Sequence, residues 1–231
     1  MIEVRGLNQF YGGSHILWDI DLNVAPGTCV CLMGRNGVGK TTLLKAIMGL
    51  IPIRSGSISF AGETLTGRAP AIRARLGIGY VPQGREIFPQ LTVEENLRIG
   101  LMARQDGVRE IPESIFELFP VLKKMLPRKG GDLSGGQQQQ LAIGRALAVD
   151  PTLLILDEPT EGIQPNVVQE IGDIIIRINR EQQLSVLLVE QKLIFARRVA
   201  QSFYLMDKGR MVAQGGMDEL QDDLISRHLA V

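Results

Sequence analysis

The chain has 231 residues, of which 45% are hydrophobic and 22% charged. This ordinary globular usage excludes extensive disorder and allows one large domain or a core with a smaller subdomain. Lys plus Arg equals Asp plus Glu at 25 each, so bulk charge supplies no pull toward nucleic acid and none is expected as a partner. No run of about 18 apolar residues occurs and the first residues carry no basic-then-apolar leader, so neither a membrane span nor a signal peptide is expected.

Residues 1–33 read as short strands punctuated by Gly12-Gly13 and Pro26-Gly27. Cys29–Met33 is a continuous apolar strand. Its two cysteines lie two residues apart, so they share one face and lack the geometry of a disulfide. With no Cys/His cluster nearby, they read as buried free thiols and no Cys/His metal site is expected. A glycine-rich loop, Gly34–Gly39, leads into a helix over Lys40–Gly49, and strands are predicted at Ser57–Phe60 and Ile78–Val81.

From about Phe88 to Asp132 the apolar residues recur at helical spacing, as in Val93, Leu97 and Leu101 and again in Ile115, Leu118, Phe119 and Leu122. Gly107, Pro112, Pro120 and Pro127 cut this stretch into short helices. A helix over Ser134–Val149 follows. Next come a strand at Leu153–Leu156, a helix at about Pro165–Glu181, a strand at Val186–Val189 and a helix at Lys192–Ala200. Strands near Phe203–Met206 and Met211–Ala213 follow, and residues 217–231 read as a short polar helix and tail. Strands alternating with helices predict an α/β fold with a parallel sheet covered on both faces.

The run Gly34-Arg35-Asn36-Gly37-Val38-Gly39-Lys40-Thr41, followed by Thr42, fits G-x-x-x-x-G-K-[ST]. Glycines let the backbone turn its N–H groups around a phosphate, Lys40 reaches the outer phosphates, and the Thr41 hydroxyl suits Mg²⁺. The apolar strand Leu153–Leu156 ends in Asp157 and Glu158, at the edge of a parallel sheet where ligands bind. Asp157 suits a Mg²⁺ shell, and Glu158 suits polarising a water for attack on the γ-phosphate. Ser134-Gly135-Gly136-Gln137 opens a helix as a second anion nest. One nucleotide does not need two nests from one chain; two copies arranged head to tail would use both.

On these residues the chain resembles the ATP-binding subunits of ABC transporters along essentially its whole length. The resemblance implies a P-loop NTPase with a RecA-like core, an antiparallel β subdomain and a helical subdomain at about 88–150, all within one domain spanning 1–231. It implies Walker A at 34–41, a signature at Leu133–Gln137, and Walker B at 153–157 with Glu158 as the catalytic glutamate. It also implies Gln83 as the glutamine that senses Mg²⁺ and water, and Tyr11 as the aromatic residue that stacks on adenine. ATP and Mg²⁺ are the implied ligands. The implied partners are a second ATP-binding subunit, identical or related, two transmembrane permease subunits and, indirectly, a substrate-binding protein. The implied location is peripheral, on the cytoplasmic side of the cell membrane.

The strings Tyr11–Leu17, Gly34–Gly37 and Val81–Pro89 are similar to the branched-chain-amino-acid type of importer ATPase and, within it, most similar to the urea transporter subunit. Urea or a short amide is therefore the expected cargo, with branched-chain amino acids as the alternative and a soluble ABC ATPase as a more distant one. A soluble iron–sulfur scaffold ATPase has the same size. Repair-type and translation-factor relatives would need a long coiled coil or a second cassette, and no guanine-reading N-K-x-D string occurs.

The sequence departs from the family pattern twice. Gln191 stands where most relatives have the switch histidine; it can hydrogen-bond but cannot carry a proton as an acid or base. Glu161-Gly162-Ile163-Gln164-Pro165 lacks the acid that helps join two copies in many relatives. Gly84–Pro89, ending in Ile87-Phe88, offers either a docking surface for a membrane subunit or a core-facing pair. His15 reads as an ordinary turn residue, and Lys123-Lys124 with Arg128-Lys129 as a solvated loop.

Overall fold

A computed structural model of the chain describes residues 1–229. Two sheets organise it. The first is antiparallel, in the order β2-β1-β4-β5. β1 (Ile2–Tyr11) turns through Gly12-Gly13 into β2 (Ser14–Val24), while β4 (Ser55–Phe60) pairs with the other edge of β1 and carries the two-residue β5 (Glu63–Thr64). β1 and β2 are ten and eleven residues long rather than the short strands expected. Register shifts between Val4 and Leu7 and again near Gln9 break the period-two pattern that would reveal their length. His15 belongs to β2, not to the turn.

The second sheet has six strands in the order β10-β9-β3-β8-β7-β6. β3 (Cys29–Met33), β6 (Ile78–Val81), β7 (Leu153–Asp157), β8 (Ser185–Val189) and β9 (Ser202–Asp207) run parallel, and β10 (Arg210–Gly216) closes one edge antiparallel to β9. Every residue of β3, β7 and β8 is buried, as expected for parallel strands covered on both faces. Alternation along β3 divides the interior. Cys29, Cys31 and Met33 enter one core and Val30 and Leu32 the other. Both thiols are free and buried, and burial pushes the Cys29 thiol up to about 12.

The core on the Val30 side is shared with the antiparallel sheet and α1 (Lys40–Ile47). The core on the Cys29 side is shared with α3 (Val93–Leu101), α4 (Glu113–Leu118), α5 (Pro120–Lys124), α6 (Gly135–Leu147), α7 (Pro165–Gln182) and α8 (Leu193–Val199). Capping boxes start two of these helices: Thr92 with Glu95 for α3 and Ser134 with Gln137 for α6. α3 lies directly on α6 because Gly100 has no side chain; a Cβ there would stand 2.3 Å from the Arg145 carbonyl oxygen.

α2 (Pro70–Arg75) was not expected. Its one buried residue is Arg73, whose guanidinium donates to the carbonyls of Ala46, Ile47, Leu65 and Arg68. A helix anchored by a buried arginine leaves no apolar stripe to read. Lys123 and Lys124 form the last turn of α5 rather than a loop, with Lys123 paired to Glu113. The polar C-terminal helix is α9 (Asp222–His228); residues 230–231 of the expected tail lie outside the described residues.

Candidate active site

Four neighbouring strands, β3, β8, β7 and β6, release their loops at the same edge of the parallel sheet. These loops carry Gly34–Gly39, Glu190-Gln191, Glu158 and Gln83, drawn from four distant stretches of sequence. A cleft of about 420 Å³ there is lined by Tyr11 and Ile16 from the antiparallel sheet and by Asn36, Gly37, Gly39, Lys40, Thr41, Thr42, Gln83 and Glu158, while Gln191 reaches the site through Asn36 and Glu158. Tyr11 is 46% exposed, which leaves its ring open to the cleft.

The glycine loop is held against β9. Gly34 has φ +154°, and a Cβ there would lie 2.4 Å from the Met206 carbonyl oxygen. Val38 accepts a hydrogen bond from the Gly209 N–H at 3.0 Å. Arg35 is exposed and Val38 half-buried. Gly39 takes the N-cap position of α1 without a capping side chain, so the first N–H groups of that helix face the loop unspent. Lys40, the first helical residue, is buried. Its ammonium donates to the carbonyls of Gly34 and Arg35 at 2.8 and 2.9 Å and lies 3.6 Å from Glu158 Oε1. Burial lowers its pKa, opposed by the Glu158 and Asp157 charges.

Asp157 is buried at the end of β7, and neither carboxylate oxygen has a hydrogen-bond partner of ordinary geometry. Burial first, with the neighbouring Glu158, raises its carboxyl to about 6, against the nearby Thr41 hydroxyl and the Lys40 charge, which lower it. Two orphaned oxygens of this kind are the donor set a hard cation takes. Among the described residues no three His, Cys, Asp or Glu side chains cluster around one point. A cation here would thus draw its other ligands from hydroxyl, amide, phosphate and water, which suits Mg²⁺.

Glu158 has φ +50°, a conformation rare outside glycine and characteristic of strained functional positions. Its backbone N–H is pinned to the Val189 carbonyl at 2.9 Å. Its carboxylate is held by Gln191, whose Nε2 donates to Glu158 Oε1 at 2.5 Å and to Asn36 Oδ1 at 2.6 Å. Behind Gln191 lies Glu190, 3% exposed. Its Oε1 accepts from the N–H groups of Gln191 and Lys192 at 2.9 and 3.1 Å, and its Oε2 from the Thr160 hydroxyl at 2.7 Å. The chain-order reading missed this acid. The only signal was a carboxylate at the end of an apolar strand beside Gln191.

The structure does not bring every candidate together. Ser134, Gly135, Gly136 and Gln137 start α6, and none of them lines the cleft of their own chain. Ser134 Oγ accepts from Gln137 N at 3.4 Å, and Gln137 Oε1 accepts from Ser134 N at 3.0 Å. Gln83 donates to Glu161 Oε2 at 3.0 Å. The Ile87-Phe88 pair divides between its two readings: Ile87 packs on the core, whereas Phe88 is 45% exposed beneath the Arg145 guanidinium.

Residues 17–161 match the protein-family model described as ABC transporter. The high-affinity branched-chain amino acid transport ATP-binding protein BraG of Pseudomonas aeruginosa is 41% identical over 213 residues, covering 92% of this chain and 91% of that protein. The probable branched-chain amino acid transport ATP-binding protein LivF of Archaeoglobus fulgidus is 37% identical, covering 95% and 94%. Among solved structures, the dimeric post-hydrolysis state of the ATP-binding cassette MJ0796, bound to ADP and phosphate, superposes with a TM-score of 0.84. It is 25% identical, covering 94% of this chain and 99% of that one. The chain belongs to the ABC transporter family, as one of its ATP-binding, ATP-hydrolysing subunits.

Proposed function

We propose that this subunit energises an importer of branched-chain amino acids. The observation that carries this reading is the 41% identity to BraG over nearly the full length of both chains, seconded by LivF. The urea reading rests on short strings alone, and the relatives favour its alternative. Among the described residues no helix is long and apolar enough to cross a membrane. On the likeness to these importer subunits, it works beside two permease subunits, on their cytoplasmic side, and a substrate-binding protein sets the cargo.

The geometry supports the following division of labour. Tyr11 stacks on the adenine, and the loop from Gly34 through Gly39 wraps the phosphates with its N–H groups. Lys40 exchanges its present carbonyl partners for phosphate oxygens. Thr41, Asp157 and Gln83 hold Mg²⁺, which supplies charge neutralisation on the phosphates. Glu158 orients and polarises the attacking water, and Gln191 holds Glu158 in place. Because Gln191 cannot take a proton, the base role falls to Glu158 alone. Ser134, Gly135, Gly136 and Gln137 close over the nucleotide of a second subunit, which explains their distance from the cleft of their own chain. Closing and reopening of that dimer is the rigid-body movement passed to the permeases.

Reconstitution with its permeases and binding protein in proteoliposomes tests the cargo. Leucine-loaded binding protein should stimulate ATP hydrolysis and leucine uptake, and urea should do neither. Stimulation by urea and not by leucine would reverse the assignment.

A further inference from the structure

The turn after Gln83 is strained. Gly84, Arg85 and Glu86 follow one another at φ +78°, +72° and +45°, all in the left-handed region, and two of the three are not glycine. The chain holds this turn from outside. Arg145, in the last turn of α6, donates to the carbonyls of Arg85 and Glu86 at 3.3 and 2.8 Å, and its guanidinium lies over the Phe88 ring at 5.3 Å.

The strained backbone aims one side chain. Half-buried Arg85 donates through Nη2 to the Glu161 carbonyl at 3.2 Å and through Nη1 to Gln138 Oε1 at 3.4 Å. A Cβ on Gly135 would stand 3.4 Å from Nη1, so the guanidinium rests against the first turn of α6. Both acceptors are neutral, so these contacts set direction and spacing rather than balance charge. They join three loops with different roles. Gln83 and Arg85 share one loop, Glu161 follows Glu158, and Gly135 and Gln138 lie at the start of α6, beside the nest that opens at Ser134. The tie is doubled on one side, since Gln83 itself donates to Glu161 Oε2.

We propose that Arg85 is a positioning residue that fixes the Glu161 loop and the start of α6 to the Gln83 loop, so that a change at Gln83 moves the Ser134 nest as one body with it. This rests on the reading of the site as half of a nucleotide-closed dimer. The planar fork suits the role, because its two Nη groups are held a fixed distance apart and reach acceptors on different elements, a spacing that the single nitrogen of an ammonium lacks.

The test compares Arg85→Ala and Arg85→Lys, each alone and combined with Glu158→Gln. Arg85→Ala should bind a fluorescent ATP analogue within about twofold of the parent, because the side chain does not line the cleft. Losing two charge-assisted hydrogen bonds should weaken ATP-dependent dimerisation of the Glu158→Gln protein at least about tenfold. In the otherwise unaltered protein kcat should fall about tenfold, with KM for ATP within about threefold. Arg85→Lys should recover part of this loss. Amide exchange over residues 159–164 should quicken in Arg85→Ala while β7 and β8 keep their protection. Unchanged dimerisation or unchanged exchange would overturn the proposal, as would a loss confined to nucleotide affinity, the mark of a direct phosphate contact. If Glu158→Gln alone fails to dimerise with ATP, the reading of the site fails and this proposal with it. If it dimerises and the double variant dimerises equally well, this proposal alone fails.

Discussion

Gln191 holds Glu158 by a 2.5 Å hydrogen bond, and the second hydrogen of the same amide is held by Asn36 at 2.6 Å. Both donors of Gln191 are spent, and only its carbonyl oxygen is left to meet a water. Gln191→Ala should therefore lower kcat about tenfold, the worth of one charge-assisted hydrogen bond, and leave KM for ATP within about threefold. Gln191→Glu should be worse, because it sets a second carboxylate against Glu158. Steady-state hydrolysis measures both, and an unchanged kcat in Gln191→Ala would remove Gln191 from the mechanism.

Asp157 is costly to ionise in the free protein. Burial raises its carboxyl to about 6 from an ordinary value near 4. The folded chain thus binds this proton more tightly than the unfolded chain, and the stability so contributed is full below about pH 4 and lost as pH rises through about 6. Asp157→Asn should stabilise the nucleotide-free protein by about 2–3 kcal/mol at pH 7.5 and by under about 1 kcal/mol at pH 4, while abolishing Mg²⁺-dependent hydrolysis. Denaturant unfolding at the two pH values checks the sign.

Glu190 ties the Gln191 loop to buried Thr160 through three hydrogen bonds. Glu190→Ala strands the Thr160 hydroxyl and two N–H groups and should cost about 2–4 kcal/mol of stability. It should also lower kcat by releasing Gln191. Glu190→Gln keeps an oxygen for the two N–H groups and should recover most of both losses. Equal damage from both variants would mean that the charge, not the geometry, matters.

Tyr11 offers an open ring at the mouth of the cleft. Tyr11→Ala should raise KM for ATP about 5–20-fold, the loss of one stacking contact of about 1–2 kcal/mol, with kcat little changed. Tyr11→Phe should stay within about twofold. A matching loss in Tyr11→Phe would point to the hydroxyl instead.

The site was legible wherever its chemistry needs neighbours in sequence. A phosphate loop must put glycines, Lys40 and Thr41 within eight residues, and a strand-end acid pair must follow an apolar run, so both could be read as strings. The α3–α6 helices were legible because their apolar faces pack on one core at helical spacing. What stayed hidden depends on contacts between distant residues. Asn36 and Gln191 meet across 155 positions and Arg85 and Glu161 across 76. Asn36 and Gln191 could each be read as site residues, but their contact, like that of Arg85 with Glu161, exists only once the parallel sheet aligns its loops. The hidden α2 has the opposite cause, since its anchor is a buried arginine where an apolar stripe would be sought.

The most direct test of ATP hydrolysis with Glu158 as its base is Glu158→Gln. The amide keeps the shape and the Gln191 neighbourhood but loses the charge that polarises water. The variant should bind ATP with near-normal affinity and form a stable dimer in its presence, while turnover falls at least about 100-fold, the usual worth of a positioned general base. Hydrolysis by Glu158→Gln at the rate of the unaltered protein would contradict this.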